Sequence, residues 1–255
     1  MTPKRWVRAL AIPLLLASAW QWLSSDPARA YVFVPLTSVA RSALELLLGG
    51  DLFWNVLASL RKTVLALILG GAAGLAVGSL LASSKVFDRA FGPLLHAFRQ
   101  VPGLGLAPLI GLWFGTGELA KIVLIFLAVF YPVLLSAYAG VRAIDPKHLE
   151  VARVYGLSRR DTFRQVEWPA MLPFLYTGLS QAVAFAWIST VGSEMLLTSG
   201  AGIGTLMQHA QAGGRMDVVI VCVFAVGALS MSIDLLLKRA GRNMMRWQGG
   251  AGATA

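Results

Sequence analysis

The sequence predicts an all-α polytopic membrane protein with about six transmembrane helices and a charged cytoplasmic helix-turn-helix loop. Three observations carry that prediction. Hydrophobic residues make up 57% of the 255 and charged residues only 13%, with a mean hydropathy of +0.69, well outside the balance of a soluble domain. Apolar runs recur at 9–25, 63–84, 100–117, 122–141, 172–193 and 218–233. Five reach or approach the roughly 20 residues that cross a bilayer as a helix, and the sixth does so with Asp234 at an interface. Finally, the basic residues alternate from loop to loop. We read residues 1–255 as a single transmembrane domain with its core over 63–237.

That alternation sets the orientation. Lys4, Arg5, Arg8, Lys85, Arg89, Arg99, Arg142, Lys147, Arg153, Arg159, Arg160, Arg164, Lys238, Arg239, Arg242 and Arg246 fall on one side, sixteen of the 22 basic residues. Arg29, Arg41, Arg61, Lys62, Lys121 and Arg215 fall on the other. The positive-inside rule then puts both termini and the 142–170 loop in the cytoplasm. The net charge of +10 is thus topological and gives no reason to expect a nucleic-acid partner. Cys222 is the single cysteine, which excludes an intrachain disulfide and a cysteine-based metal site.

The first run, 9–25, has two readings. Trp20 and Trp22 suit the interfacial belt of a retained span, which is the reading adopted. Lys4-Arg5-Trp6-Val7-Arg8, the apolar run and Ala28-Arg29-Ala30 also resemble a signal peptide cleaved after Ala30. Residues 24–60 contain no run able to cross and read as an external amphipathic segment. Ser38 is placed to cap a short helix, Gly49-Gly50 to stop it, and Asp51 to start another toward Leu60. In the second span Gly70, Gly74 and Gly78 recur every four residues, a smooth face for close helix approach.

The third run, RQVPGLGLAPLIGLWFGTGE (99–118), holds Pro102, Gly103, Gly105, Pro108 and Gly111. Proline removes donors and glycine weakens a helix, so this span should be bent or partly unwound. Such backbone persists in a membrane where protein or a watery cavity satisfies it, and broken spans often line transport routes. A kinked packing helix is the competing reading.

The loop 142–170 looks folded. Asp145-Pro146 has the form of a cap followed by proline in the first turn. A short helix can then run to Tyr155, with Gly156 suited to a left-handed stop. Ser158-Arg159-Arg160-Asp161 resembles a capping box opening a second helix, which Pro169 should end before the next span. Leu149, Ala152 and either Tyr155 or Val151 share one side of the first helix; Phe163 and Val166 share a side of the second.

Here the chain resembles the permease subunits of bacterial ABC importers. Glu150-Val151-Ala152, three residues, Gly156, nine residues and Val166-Glu167-Trp168-Pro169 keep the unbroken spacing of their EAA loop. Val151, Val166 and Trp168 replace the pattern's Ala, Ile and Leu. Leu112–Glu118, Tyr138–Arg142, Ala186-Trp187 and Glu194–Leu196 are similar to the nitrate/sulfonate/taurine branch. The resemblance implies that a cytoplasmic ATP-binding subunit grips the loop through Glu150, Ala152, Gly156, Arg159, Val166 and Pro169. It also implies a second permease copy, lipid around the spans, an external solute-binding protein, and ATP with magnesium on the partner. The chain itself should bind no cofactor, and it has no G-x-x-x-x-G-K-[ST] phosphate loop. The solute would be a small anion such as an aliphatic sulfonate, taurine or nitrate. Pro102, Gly105, Trp113, Trp187 and Glu194 are the candidates for the solute path.

Other chemistry is sparse. His96, His148 and His209 are dispersed, and no G-x-S-x-G elbow occurs. A charge at the bilayer centre costs at least about 2.5–3.5 kcal/mol on insertion scales. Glu194 should therefore face a path, a partner or the outer interface. A secondary transporter, channel or membrane enzyme is the alternative class. It would call for clustered intramembrane ionisable groups or an internal repeat, and neither is apparent.

Overall fold

The computed structural model of this chain describes residues 3–26 and 33–244, and all regular elements among them are helical. The proposed cleavage site at Ala30 lies outside those residues. Helix α1 (Pro3–Leu23) covers the first apolar run, and α2 (Leu36–Leu48) follows. Then come α3 (Asp51–Ser83), α4 (Lys85–Phe98), a 3₁₀ turn (Gly103–Leu106), α5 (Ala107–Phe114) and α6 (Glu118–Arg142). The charged loop holds α7 (Pro146–Val154) and α8 (Arg159–Thr162), which a π turn at Phe163–Glu167 joins to α9 (Trp168–Leu196). Helices α10 (Ile203–Ala212) and α11 (Met216–Met244) complete the described chain.

Four helices among the described residues are long and apolar enough to cross a membrane: Asp51–Ser83, Glu118–Arg142, Arg159–Leu196 and Met216–Arg239. The third predicted span is broken, and its apolar helical part is only Gly103–Phe114. Pro102 and Pro108 lack the donors that would carry a helix through.

Helices α3, α6 and α9 form the centre, with α6 packed against both others. Ala66, Ile125, Val129, Val133, Ala182 and Ala186 are the buried residues at their junction. The glycine face is what lets α3 and α6 approach. A Cβ on Gly70 would lie 2.9 Å from the Phe126 carbonyl, and one on Gly74 2.6 Å from that of Phe130. On Gly78 it would collide with the Leu134 carbonyl. At one end of the bundle Asp88 of α4 bonds Arg142 of α6 at 2.9 Å. At the other, α2, the start of α3, α10 and α11 pack through Val39, Leu52 and Val221 and through Ile203, Val218 and Cys222. There Arg215 meets Asp217 at 2.9 Å and Ser42 at 3.0 Å. The Asp217 carboxylate holds that guanidinium even further above neutrality than usual.

Four details differ from expectation. The helix that starts at Asp51 does not stop near Leu60 but runs on as α3, continuous through the charged pair Arg61-Lys62 into the span. Ser38 does not cap α2; Pro35 occupies the cap, and the helix has no side-chain cap bond. Lys62 and Lys121 are not loop residues at a surface but fully buried side chains. Pro169 does not end the second loop helix, which runs on into α9. Proline sits in the first turn of α9, where its absent N–H matters least. The wider π turn before it lets the Trp168 N–H reach the Phe163 carbonyl.

Candidate functional site

The hook, residues 142–170, is built by its caps. The Asp145 side chain accepts from the Lys147 N–H at 2.9 Å, and Pro146 opens α7. The helix closes on Gly156 at φ +68°, with Leu157 N–H donating to the Ala152 carbonyl and Gly156 N–H to the Arg153 carbonyl. That pair of bonds is a Schellman stop. A Cβ at Gly156 would meet nothing within 4 Å, so the demand for glycine there is conformational rather than steric. Ser158 then caps α8 by accepting from the Asp161 N–H at 3.2 Å.

Ala152 is buried in this fold, while Val166 is half-buried. With His148, Val151, Tyr155, Leu157, Gln165 and Ala170 they line a shallow depression between α7 and the π turn that leads into α9. Val154 and Tyr155 stand 85% and 80% exposed, and Val151 is 52% exposed. Glu150, Arg153, Arg159, Arg160, Arg164 and Glu167 form no ion pair among the described residues. The hook therefore presents both unpaired charge and bare apolar surface.

The path candidates are not brought together at one place. Pro102 lines an open groove of about 660 Å³ between the 98–106 segment, α6 and α9. Gly105 packs its backbone against the Pro102 ring, and Trp113 is 66% exposed on α5 outside that groove. Trp187 is buried in α9, and its indole N–H is without a partner among the described residues.

Glu194 belongs to a closed cluster. It is fully buried, 2.8 Å from Lys62 Nζ, and accepts from Ser59 Oγ at 2.8 Å and from the Gly204 N–H at 2.8 Å. Lys62 also donates to the Ala201 carbonyl at 2.7 Å, Lys121 to that of Ser199, and Gly202 N–H to Asn55 Oδ1 at 2.8 Å. These bonds strap the 197–204 loop onto α3 and α6. Sequence reading missed Ser59, Lys62 and Lys121 as members. The available signal was an acid just after one apolar run and bases just before two others, all on the same predicted side of the membrane. Among the described residues no three His, Cys, Asp or Glu side chains gather as a metal site would require.

Residues 70–246 match the family model of the binding-protein-dependent transport system inner membrane component. The chain belongs to that family. This permease is 32% identical over 202 residues to the taurine transport system permease protein TauC of Escherichia coli, covering 79% of this chain and 73% of that one. It is 29% identical over 244 residues to a protein of Bacillus subtilis named as an aliphatic sulfonates transport permease, SsuC, covering 95% and 88%. In fold it is similar to a chain of the MetNI methionine ABC transporter in an inward-facing form. There the TM-score is 0.56 and the identity 21%, over 75% of this chain and 93% of that one. The permease is thus the membrane-spanning transport subunit of an ABC importer.

Proposed function

We propose that this permease works as a pair of identical copies in the bacterial inner membrane, with both termini and the hook in the cytoplasm. Each hook sits in a cleft of a cytoplasmic ATP-binding subunit, which alone holds ATP and magnesium. An external binding protein delivers the solute, a small anion of the aliphatic sulfonate class. Closure of the ATP-binding subunits on ATP then moves the hooks and turns the path from one side to the other. Relatives named for taurine and aliphatic sulfonates support the solute class. Broken backbone at Pro102–Leu106 beside an open groove supports a path there.

The observation that carries the coupling reading is the hook's composition of unpaired charges and exposed Val154 and Tyr155 around a left-handed glycine. A loop with no partner would gain nothing from ordering such a surface, since exposed apolar patches mark contact sites. Gly156→Val forces a β-branched residue to positive φ, at a cost of about 1–3 kcal/mol confined to the hook. Membrane insertion should remain at the parental level, while co-purification of the ATP-binding subunit and solute uptake both fall. Full ATPase content with parental uptake would remove the hook from the coupling role.

A further inference from the structure

The open groove between α6 and α9 is apolar almost throughout, but four side chains break that character: Arg99, Tyr131, Gln181 and Ser189. All four carry hydrogen-bond donors, and no carboxylate among the described residues lines the groove. None of the four side chains makes a hydrogen bond to any described residue, although Ser189 is only 5% exposed. That is unusual within this chain. Buried Thr63 and Thr190 bond each other, and Ser59 and Ser193 are also bonded. Arg99 and Gln181 are exposed, Tyr131 is half-buried and Ser189 is buried, so four donors without a protein partner among the described residues face one open space and are free to meet something that enters it.

The positions follow from helix spacing. Gln181, Phe185 and Ser189 recur every four residues on α9, and Leu127, Tyr131 and Leu135 do so on α6. Each helix thus alternates donor and apolar side chains along one wall. Arg99 sits just past the end of α4, where the backbone turns toward the broken segment. Its guanidinium pairs with no acid among the described residues; Asp88, which lines an adjoining hollow with it, is held by Arg142 and Tyr138.

We infer that this groove binds an alkyl-bearing anion during passage, with Arg99 as the charge-selecting residue. Tyr131, Gln181 and Ser189 supply neutral donors to the anionic head group, and Phe185, Ile188 and Leu127 receive the apolar tail. A planar guanidinium suits a head group with several acceptor oxygens, through paired bonds that an ammonium cannot duplicate. The absence of acidic lining would disfavour cations. The apolar walls would favour a tailed sulfonate over a bare inorganic oxyanion. This assignment rests on the ABC-permease reading above and names the solute contact within it.

The test uses the intact importer with its ATP-binding subunit and binding protein in proteoliposomes, with labelled hexanesulfonate and methanesulfonate as probes. Arg99→Ala should lower hexanesulfonate uptake about tenfold or more, the scale of losing one charge-assisted contact. ATPase content and binding-protein-stimulated hydrolysis should stay near parental, so that transport per ATP falls. Arg99→Lys should recover part of the uptake, and Phe185→Ser should lower the hexanesulfonate-to-methanesulfonate ratio. Parental uptake by Arg99→Ala would overturn the assignment and leave the permease reading standing. Equal loss of stimulated hydrolysis in both Arg99 variants would overturn it too, by making Arg99 a structural residue. If the parental importer takes up neither sulfonate, the solute class itself is wrong and the groove assignment falls with it.

Discussion

The strap around Glu194 and the hook around Gly156 are both rich in charge, yet they treat it in opposite ways. In the strap, Lys62 and Glu194 are fully buried and bonded to each other, to hydroxyls and to backbone of the 197–204 loop. In the hook, Glu150, Arg153, Arg159, Arg160, Arg164 and Glu167 lie at or near the surface without an ion pair among the described residues. Charge closed within the chain fixes a fold. Charge left open is what a second protein can use. The same residue types close the fold at one end of the bundle and, in the coupling role proposed for the hook, would serve recognition at the other.

Removing half of the buried pair should have the largest effect. Glu194→Ala leaves Lys62 buried without its partner, a loss of about 3–5 kcal/mol. It should appear as poor yield and a lowered melting midpoint in detergent, and a Lys62→Met/Glu194→Leu double variant should regain most of it. An unchanged midpoint for Glu194→Ala would mean that the pair is not a stabilising closed unit. Next in size is Gly74→Ala, which drives a methyl against the Phe130 carbonyl and should cost about 1–3 kcal/mol by overpacking. It should lower the midpoint while leaving ATPase binding to the surviving protein intact. The smallest effect belongs to the hook. Ser158→Ala removes the cap of α8, worth about 1 kcal/mol locally. It should leave the melting midpoint of the spans unaltered and weaken ATPase co-purification modestly. A fall in the midpoint instead would erase the contrast between the two regions.

The hook was the more legible of the two regions because its determinants are local. Asp145, Pro146, Gly156 and Ser158 each act on backbone within a few residues, so their spacing announces a cap, a start, a stop and another cap. Pro169 was the exception, since the π turn that accommodates it has no sequence signal of its own. The strap was hidden because Ser59, Lys62, Glu194 and Gly204 meet only in three dimensions. Reading the second span as starting at 63 treated Lys62 as a boundary. A lysine ends an apolar run only when it seeks water, and this one finds Glu194 instead. The glycine face on α3 was readable from its period of four. The partner helix α6 was not, because nothing in that period says what approaches it. The break in the third span was evident from its prolines. The separate helix α4 before it was not.

The continuity of α3 has a consequence for the height of the molecule. Its 33 residues extend about 50 Å at 1.5 Å per residue, against a hydrocarbon layer of about 30 Å. Counting from Ser83, beside Lys85 at the hook end, Lys62 is reached after about 32 Å, one layer thickness away. With Ser83 set at one edge of the hydrocarbon, the strap falls at the other, and a modest tilt changes this little. The remaining turns, Asp51 to Arg61, rise clear of the hydrocarbon with α2 and α10 beside them. In the orientation proposed above, a solute delivered from outside would first meet these raised helix ends and the strapped loop rather than a surface flush with the bilayer.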